Sequence, residues 1–256
     1  LSMEGGVKLM VKLLQSSDGT ELFKKSYALP AVEKLPFLGH KAISDINNAL
    51  NYPDISWINR YVVFSRYTTP GRSEILLADY TFSYQKVIIR GGLNLFPKWA
   101  DADQRSFYYT SYAGLIPTLY NINIYSGERQ KITSSEGMLV CSDVSKDGNR
   151  LILTMAPEGQ ADIYEFNVGS RSKSKITNFN GIDVNGKYVD DESSIVFVSN
   201  RLGYANIFKQ SLRGAAVSQI VYHGRNNNAC DAHENQIVYS SRESQNTFGK
   251  NTFNLY

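Results

Sequence analysis

Apolar positions along most of this chain fall in short runs that recur at a fixed spacing. Aligned with itself at an offset of 44, the sequence matches in three columns: Leu76, Tyr120, Tyr164 and Phe208; Ile88, Ile132, Ile176 and Ile220; and Asp103, Asp147, Asp191 and Asn235. Self-similarity at such a period marks a repeat architecture. Each repeat holds short strand-like runs separated by turn residues, in the second repeat Phe96–Trp99, Arg105–Tyr109, Thr118–Asn123 and Arg129–Thr133. The second run of each repeat (Ser106-Phe-Tyr-Tyr, Leu151-Ile-Leu-Thr, Ile195-Val-Phe-Val, Ile237-Val-Tyr) is apolar on successive residues, as a strand buried on both faces is. Four strands per repeat with buried middle strands predict a mainly β fold, a β-propeller of four-stranded blades.

The blades are expected at 57–92, 93–137, 138–181, 182–225 and 226–256. The first lacks an inner strand and the last stops after its third, so about five blades are expected here, with the missing strands beyond Tyr256. The Asp/Asn column falls in the turn between first and second strands, where a short acceptor bonds backbone N–H groups and tolerates left-handed geometry. One acid per turn suits that role better than a calcium loop.

The N-terminal pattern is different. Val7–Leu14 and Glu21–Tyr27 predict a hairpin around Ser16-Ser17-Asp18-Gly19. Pro36 suits a first helical turn, and Leu38, Ala42, Ile43, Ile46 and Leu50 form one apolar stripe that Tyr52-Pro53 ends. Residues 1–56 read as the C-terminal part of a small α/β domain preceding a propeller over 57–256, since hairpin plus helix bury too little to stand alone. Leu1-Ser2-Met3 reads as a cloning scar before a start inside that domain.

Composition narrows the function. The 256 residues are 42% apolar and 20% charged, with 17 Tyr and 12 Phe that suit pleated surfaces. A formal charge of +3 without any basic run argues against nucleic acid. No stretch approaches the roughly 20 apolar residues of a membrane span. Two lysines interrupt Val7–Leu14, which also excludes a signal-peptide core there.

Candidate chemistry is sparse. No Gly-x-Ser-x-Gly elbow occurs, and Gly91-Gly92 precedes no helix that could cradle phosphate. His40, opening a helix, reads as a surface or inter-domain hydrogen-bond donor. His223, Cys230 and His233 match no zinc spacing, because 230 and 233 point to opposite faces of a strand. Cys141 and Cys230, 89 residues apart, occupy near-equivalent inner-strand positions two blades apart and are expected as free thiols.

Several motifs carry a family resemblance: His40-Lys-Ala-Ile-Ser-Asp45, Leu77-Ala-Asp-Tyr80, Leu95-Phe-Pro-Lys-Trp99, Ser145-Lys-Asp-Gly148, and Ser199-Asn-Arg-Leu-Gly203 before Asn206-Ile-Phe208. With the order hairpin, helix, propeller, the chain resembles the TolB family, the periplasmic propellers of the Gram-negative Tol-Pal system. Only Ser145-Lys-Asp-Gly148 approaches the family's Ser-Pro-Asp-Gly turn, which points to a divergent branch. The resemblance implies six blades and a non-enzymatic adaptor without cofactors, supporting outer-membrane integrity and envelope constriction. It implies binding of the peptidoglycan-associated lipoprotein Pal at one propeller mouth, and of TolA through an extreme N-terminal segment that nothing here matches.

Carried over blade to blade, the Pal-facing residues are Asn94 and Leu95; Met138, Leu139 and Val140; Asp183, Val184 and Asn185; and Asn226, Asn227 and Asn228. These lead into inner strands and are displayed at one rim in any propeller. Two other readings stand beside the adaptor: the gating propeller of a prolyl-oligopeptidase-like hydrolase whose catalytic domain is missing, and a propeller lyase or metal enzyme.

Overall fold

The computed structural model describes residues 6–30, 32–234, 236–242 and 253–256; Leu1-Ser2-Met3 and Asn235 lie outside them. The chain forms two compact units, one of residues up to 66 with 74–90 and one of residues 67–73 with 91–256.

In the first unit, β1 (Val7–Leu14) and β2 (Glu21–Leu29) pair as the expected hairpin. Helix α1 (Leu35–Ala49) follows, with Pro36 in its first turn. Its buried side chains are Leu38, His40, Ala42 and Ser44, whereas Ile43 and Leu50 of the expected stripe face solvent. The motif from His40 to Asp45 fastens the helix in two directions. Asp45 accepts from Lys25 Nζ at 2.7 Å and the Tyr27 hydroxyl at 2.9 Å, tying α1 to β2. His40 is buried instead of lying at the surface: its Nε2 sits 3.6 Å from Asp79 Oδ2, beneath the rings of Phe37 and Tyr80.

Asp79 follows β4 in the sheet β3 (Val62–Thr69), β4 (Arg72–Ala78), β5 (Gln85–Ile89). Burial alone would raise its carboxyl, but the Thr81 hydroxyl, the Tyr84 and Thr81 N–H groups and His40 outweigh burial and hold it below the ordinary carboxylate value. A depressed native value adds stability above the unfolded value that is lost as pH falls through the native one. Urea midpoints should therefore drop below about pH 4, and Asp79→Asn should flatten that drop; an unchanged acid slope would contradict the assignment.

The second unit repeats one hairpin stack. The sheets are β6 (Asn94–Trp99), β7 (Ser106–Ser111), β8 (Thr118–Asn123), β9 (Arg129–Ser134); then β10 (Leu139–Val144), β11 (Arg150–Met155), β12 (Asp162–Asn167), β13 (Lys173–Lys175). Next come β14 (Asp183–Val189), β15 (Ser194–Ser199), β16 (Asn206–Ser211), β17 (Val217–Gln219), and last β18 (Arg225–His233), β19 (Gln236–Arg242), β20 (Phe253–Leu255). Every sheet is antiparallel in sequence order, and three of the four have the four strands expected from the 44-residue period. Among the described residues the first sheet, β3 to β5, and the last have three strands each, the first without an inner strand, as the pattern indicated.

Successive residues of the second strands alternate between neighbouring blades. Leu151 and Leu153 of β11 pack with Tyr108, Leu119 and Ile132 on one side, while Ile152 packs with Ile195, Phe197 and Phe208 on the other. Val196 and Val198 of β15 then meet Cys230 and Val221. Each such side chain contributes about 1.5–3 kcal/mol by leaving water, which is why these strands read as continuous apolar runs. Strand β19 departs from the expectation: Val238 is 53% exposed, because among the described residues no further sheet covers that face. Close approach fixes one inner-strand glycine: a Cβ on Gly186 would lie 2.7 Å from Ile152 Cγ2.

The turn column is partly redistributed. Asp147 accepts from the Ser145 hydroxyl and from Asn149 N–H at 3.0 Å, which lower its carboxyl to about 2. In the preceding blade Asp101, not Asp103, takes that role, accepting from Arg105 N–H at 3.1 Å while Asp103 pairs with Arg105 on the surface. Asp191 adopts left-handed geometry at φ 49° and spends its carboxylate on Lys146.

Candidate docking face of the propeller

Antiparallel order puts the loops of a blade at alternating ends. In the second unit, one end gathers the connections between blades (residues 135–138, 176–182 and 220–224) with the loops joining second to third strands (112–117, 156–161 and 200–205). The other end gathers 100–105, 145–149 and 190–193 with 124–128, 168–172 and 212–216. The two ends differ in chemistry. The first exposes Leu115, Ile116, Met138, Ile182, Leu202, Tyr204 and Tyr222. Among the described loops of the second, Tyr125 is the large apolar side chain in the open, and Asp101, Asp103, Lys146, Asp147, Asp190 and Asp191 dominate.

The eleven residues expected to face a partner divide by burial. Met138 and Asn228 are exposed, and Val140, Val184, Asn185 and Asn226 are partly so. Asn94, Leu95, Leu139, Asp183 and Asn227 are buried and shape the loops from beneath. Asn94 N–H donates to Ser73 Oγ at 2.8 Å, and Asn227 Nδ2 donates to Asn206 Oδ1 at 2.8 Å. Asp183 accepts from Arg201 Nη2 at 3.0 Å. That guanidinium also stands 5.1, 5.3 and 5.0 Å from the rings of Phe179, Phe197 and Phe208, a cation enclosed by three aromatic faces and one carboxylate. Arg201 belongs to Ser199-Asn-Arg-Leu-Gly203, so this motif holds the rim together.

The sequence reading missed two features. Exposed Phe96 has φ 56°, a left-handed conformation uncommon for an aromatic residue. The inner strands β6, β10, β14 and β18 all carry a register shift, after which Lys98, Asp143, Lys187 and Asp231 take equivalent positions. Their charges alternate and pair between blades, Lys98 with Asp143 at 2.9 Å and Lys187 with Asp231 at 3.2 Å. Burial would lower Lys98, but Asp143 outweighs it and the ammonium is held above its ordinary value. Burial would likewise raise Asp231, and Lys187 with Lys98 hold it low instead. The spacing of 45, 44 and 44 residues is the signal that could have found this column.

Reactive groups are dispersed. Cys141 and Cys230 are free and buried, and burial pushes each thiol up to about 12, far from a nucleophile's range. Cys230 lies under Asn185, whose Nδ2 donates to its carbonyl oxygen at 2.7 Å, while His223 packs on Tyr256 and His233 is exposed. Among the described residues no three His, Cys, Asp or Glu side chains gather as a metal site, and no helix is long and apolar enough to cross a membrane.

Comparison with known proteins agrees with this architecture. Residues 58–255 match the family model of the TolB beta propeller domain. The Tol-Pal system protein TolB of Wolinella succinogenes is 50% identical over 98% of this chain and 60% of its own length. That of Helicobacter hepaticus is 46% identical over 96% of this chain and 58% of its own. The chain thus spans about three fifths of these relatives. A solved TolB from Acinetobacter baumannii shares the fold with a TM-score of 0.82 at 22% identity, covering 100% of this chain and 63% of that one. A puromycin hydrolase shares it more distantly, with a TM-score of 0.54 at 9% identity over 72% of this chain and 32% of that one.

Proposed function

The chain belongs to the TolB family, and from that premise we propose that it is a non-enzymatic adaptor of the Tol-Pal system in the Gram-negative periplasm. It binds the peptidoglycan-associated lipoprotein Pal on the apolar end of the propeller, and so supports outer-membrane integrity and envelope constriction. In the whole protein TolA is a further partner. Residues 57–256 serve as the platform and the elements before them as the end of an α/β domain.

The asymmetry between the two ends carries this reading. Leu115, Met138, Ile182, Leu202, Tyr204 and Tyr222 lie exposed on the same end as the eleven residues carried over from the family. An apolar centre with a polar surround is the anatomy of a protein interface. A hydrolase's gating propeller would share the fold, but the likeness to puromycin hydrolase extends to fold alone.

Calorimetric titration with the lipoprotein's periplasmic domain from the same organism tests the reading. Saturable binding is expected at a Kd of about 10 μM or tighter, near −7 kcal/mol. No heat at tens of micromolar protein would refute the proposed partner.

A further inference from the structure

One part of the apolar end is a formed cleft. Between the third and fourth sheets an open cavity of about 660 Å³ is lined by Met138, Ala156, Ala161, Ile182 and Val184, by Gln160, and by the backbone of Gly137, Gly159 and Gly181. Two of its glycines allow the backbone to approach its neighbours closely. A Cβ on Gly137, which has φ 67°, would lie 2.4 Å from Ala156 O, and one on Gly181 would lie 2.3 Å from Asn200 Oδ1.

The walls are fixed, and polar groups along them are already bonded. Gln160 Nε2 donates to Phe179 O at 2.7 Å and to Gly181 O, joining the loop on one side to the connection on the other. Ile182 N–H donates to Asn200 Oδ1 at 2.8 Å, Asp183 N–H to Ala161 O at 3.1 Å, and Ala156 N–H to Met138 O at 3.0 Å. None of the lining side chains is charged. Glu136 and Glu158 directly precede the lining residues Gly137 and Gly159 in the chain, both are exposed, and neither forms an ion pair among the described residues.

Resting on the docking reading above, we propose that this cleft receives one aliphatic side chain of a protein partner, presented on a segment with basic residues beside it. The apolar walls take the side chain and the two carboxylates select its neighbours, so that an acidic segment of equal hydropathy is rejected by like charge.

The test uses the whole chain with methyl resonances of Met138, Ile182 and Val184 as the readout. The probes are the capped peptides Lys-Ala-Leu-Ala-Lys, Glu-Ala-Leu-Ala-Glu and Lys-Ala-Ser-Ala-Lys. The first should shift these methyls at least about tenfold more, at equal concentration, than either of the others. Glu136→Lys with Glu158→Lys should reverse the charge preference, and Ile182→Asp should abolish the shifts. Equal shifts from all three peptides, or none from the first, would overturn the proposal.

A second arm titrates the lipoprotein domain, with Tyr125→Asp on the opposite end as the control. Ile182→Asp should weaken binding at least about tenfold and Tyr125→Asp should leave it unchanged. A lipoprotein that fails to bind the unaltered chain refutes the partner while the peptides still judge the cleft. Sedimentation showing a dimer that Ile182→Asp dissociates would assign the cleft to a second copy and overturn the proposal.

Discussion

Asp183→Ala is expected to lower the stability of the chain by about 3–5 kcal/mol, as removal of one member of a buried ion pair does. Asp183 is fully buried and Arg201 is 18% exposed, with Nη2 at 3.1 and 3.0 Å from the two carboxylate oxygens. Without the carboxylate, the guanidinium remains among Phe179, Phe197 and Phe208 with no counter-charge. The rings offset only part of that cost, since a desolvated cation–π contact is worth about 2 kcal/mol. Arg201→Met in the Asp183→Ala background should restore much of the loss, because an apolar replacement of both partners leaves no stranded charge. Urea midpoints of the two variants decide it. A loss below about 1 kcal/mol for Asp183→Ala would mean that the pair behaves as a surface contact.

Phe197→Ala should cost a similar 3–5 kcal/mol by a different route. Phe197 lies in β15 with no exposed surface, packed with Ile152 and Ile163 of the preceding blade and with Phe208 beside it. Truncation opens a void between two blades whose backbones are held by their own hydrogen bonds, so collapse is limited. The comparison is Val238→Ala, one blade later and 53% exposed, which should change stability by less than about 0.5 kcal/mol. Similar losses at both positions would contradict the account of inter-blade packing.

These two positions show what the sequence could and could not convey. Ile195-Val-Phe-Val announces a strand buried on both faces, because each side chain has its own neighbouring blade to face. Ile237-Val-Tyr carries the same pattern and lies half open. A local pattern reports what a strand can bury and is silent on whether the neighbour is there. The period located all five sheets, since Tyr120, Tyr164 and Phe208 hold equivalent places in third strands. It did not say which turn acid bonds the backbone, a choice between Asp101 and Asp103 settled by loop geometry.

The candidate site was legible only as loops. Asn94, Asp183 and Asn227 look like exposed polar connections and are buried, because left-handed or bulged backbone beside them turns their side chains inward. Leu115, Ile182 and Leu202 are unremarked single apolar residues in the sequence. Antiparallel hairpins bring them to one end, and their common exposure exists only in three dimensions.

The central claim is that this chain is a docking platform that uses the apolar end of its propeller. Amide hydrogen exchange with and without the lipoprotein domain tests it most directly, since protection follows the buried footprint. The account predicts protection within 112–117, 135–138, 156–161, 178–182 and 200–205, with no change at 100–105, 145–149 and 190–193. Protection confined to the second set of loops would contradict it.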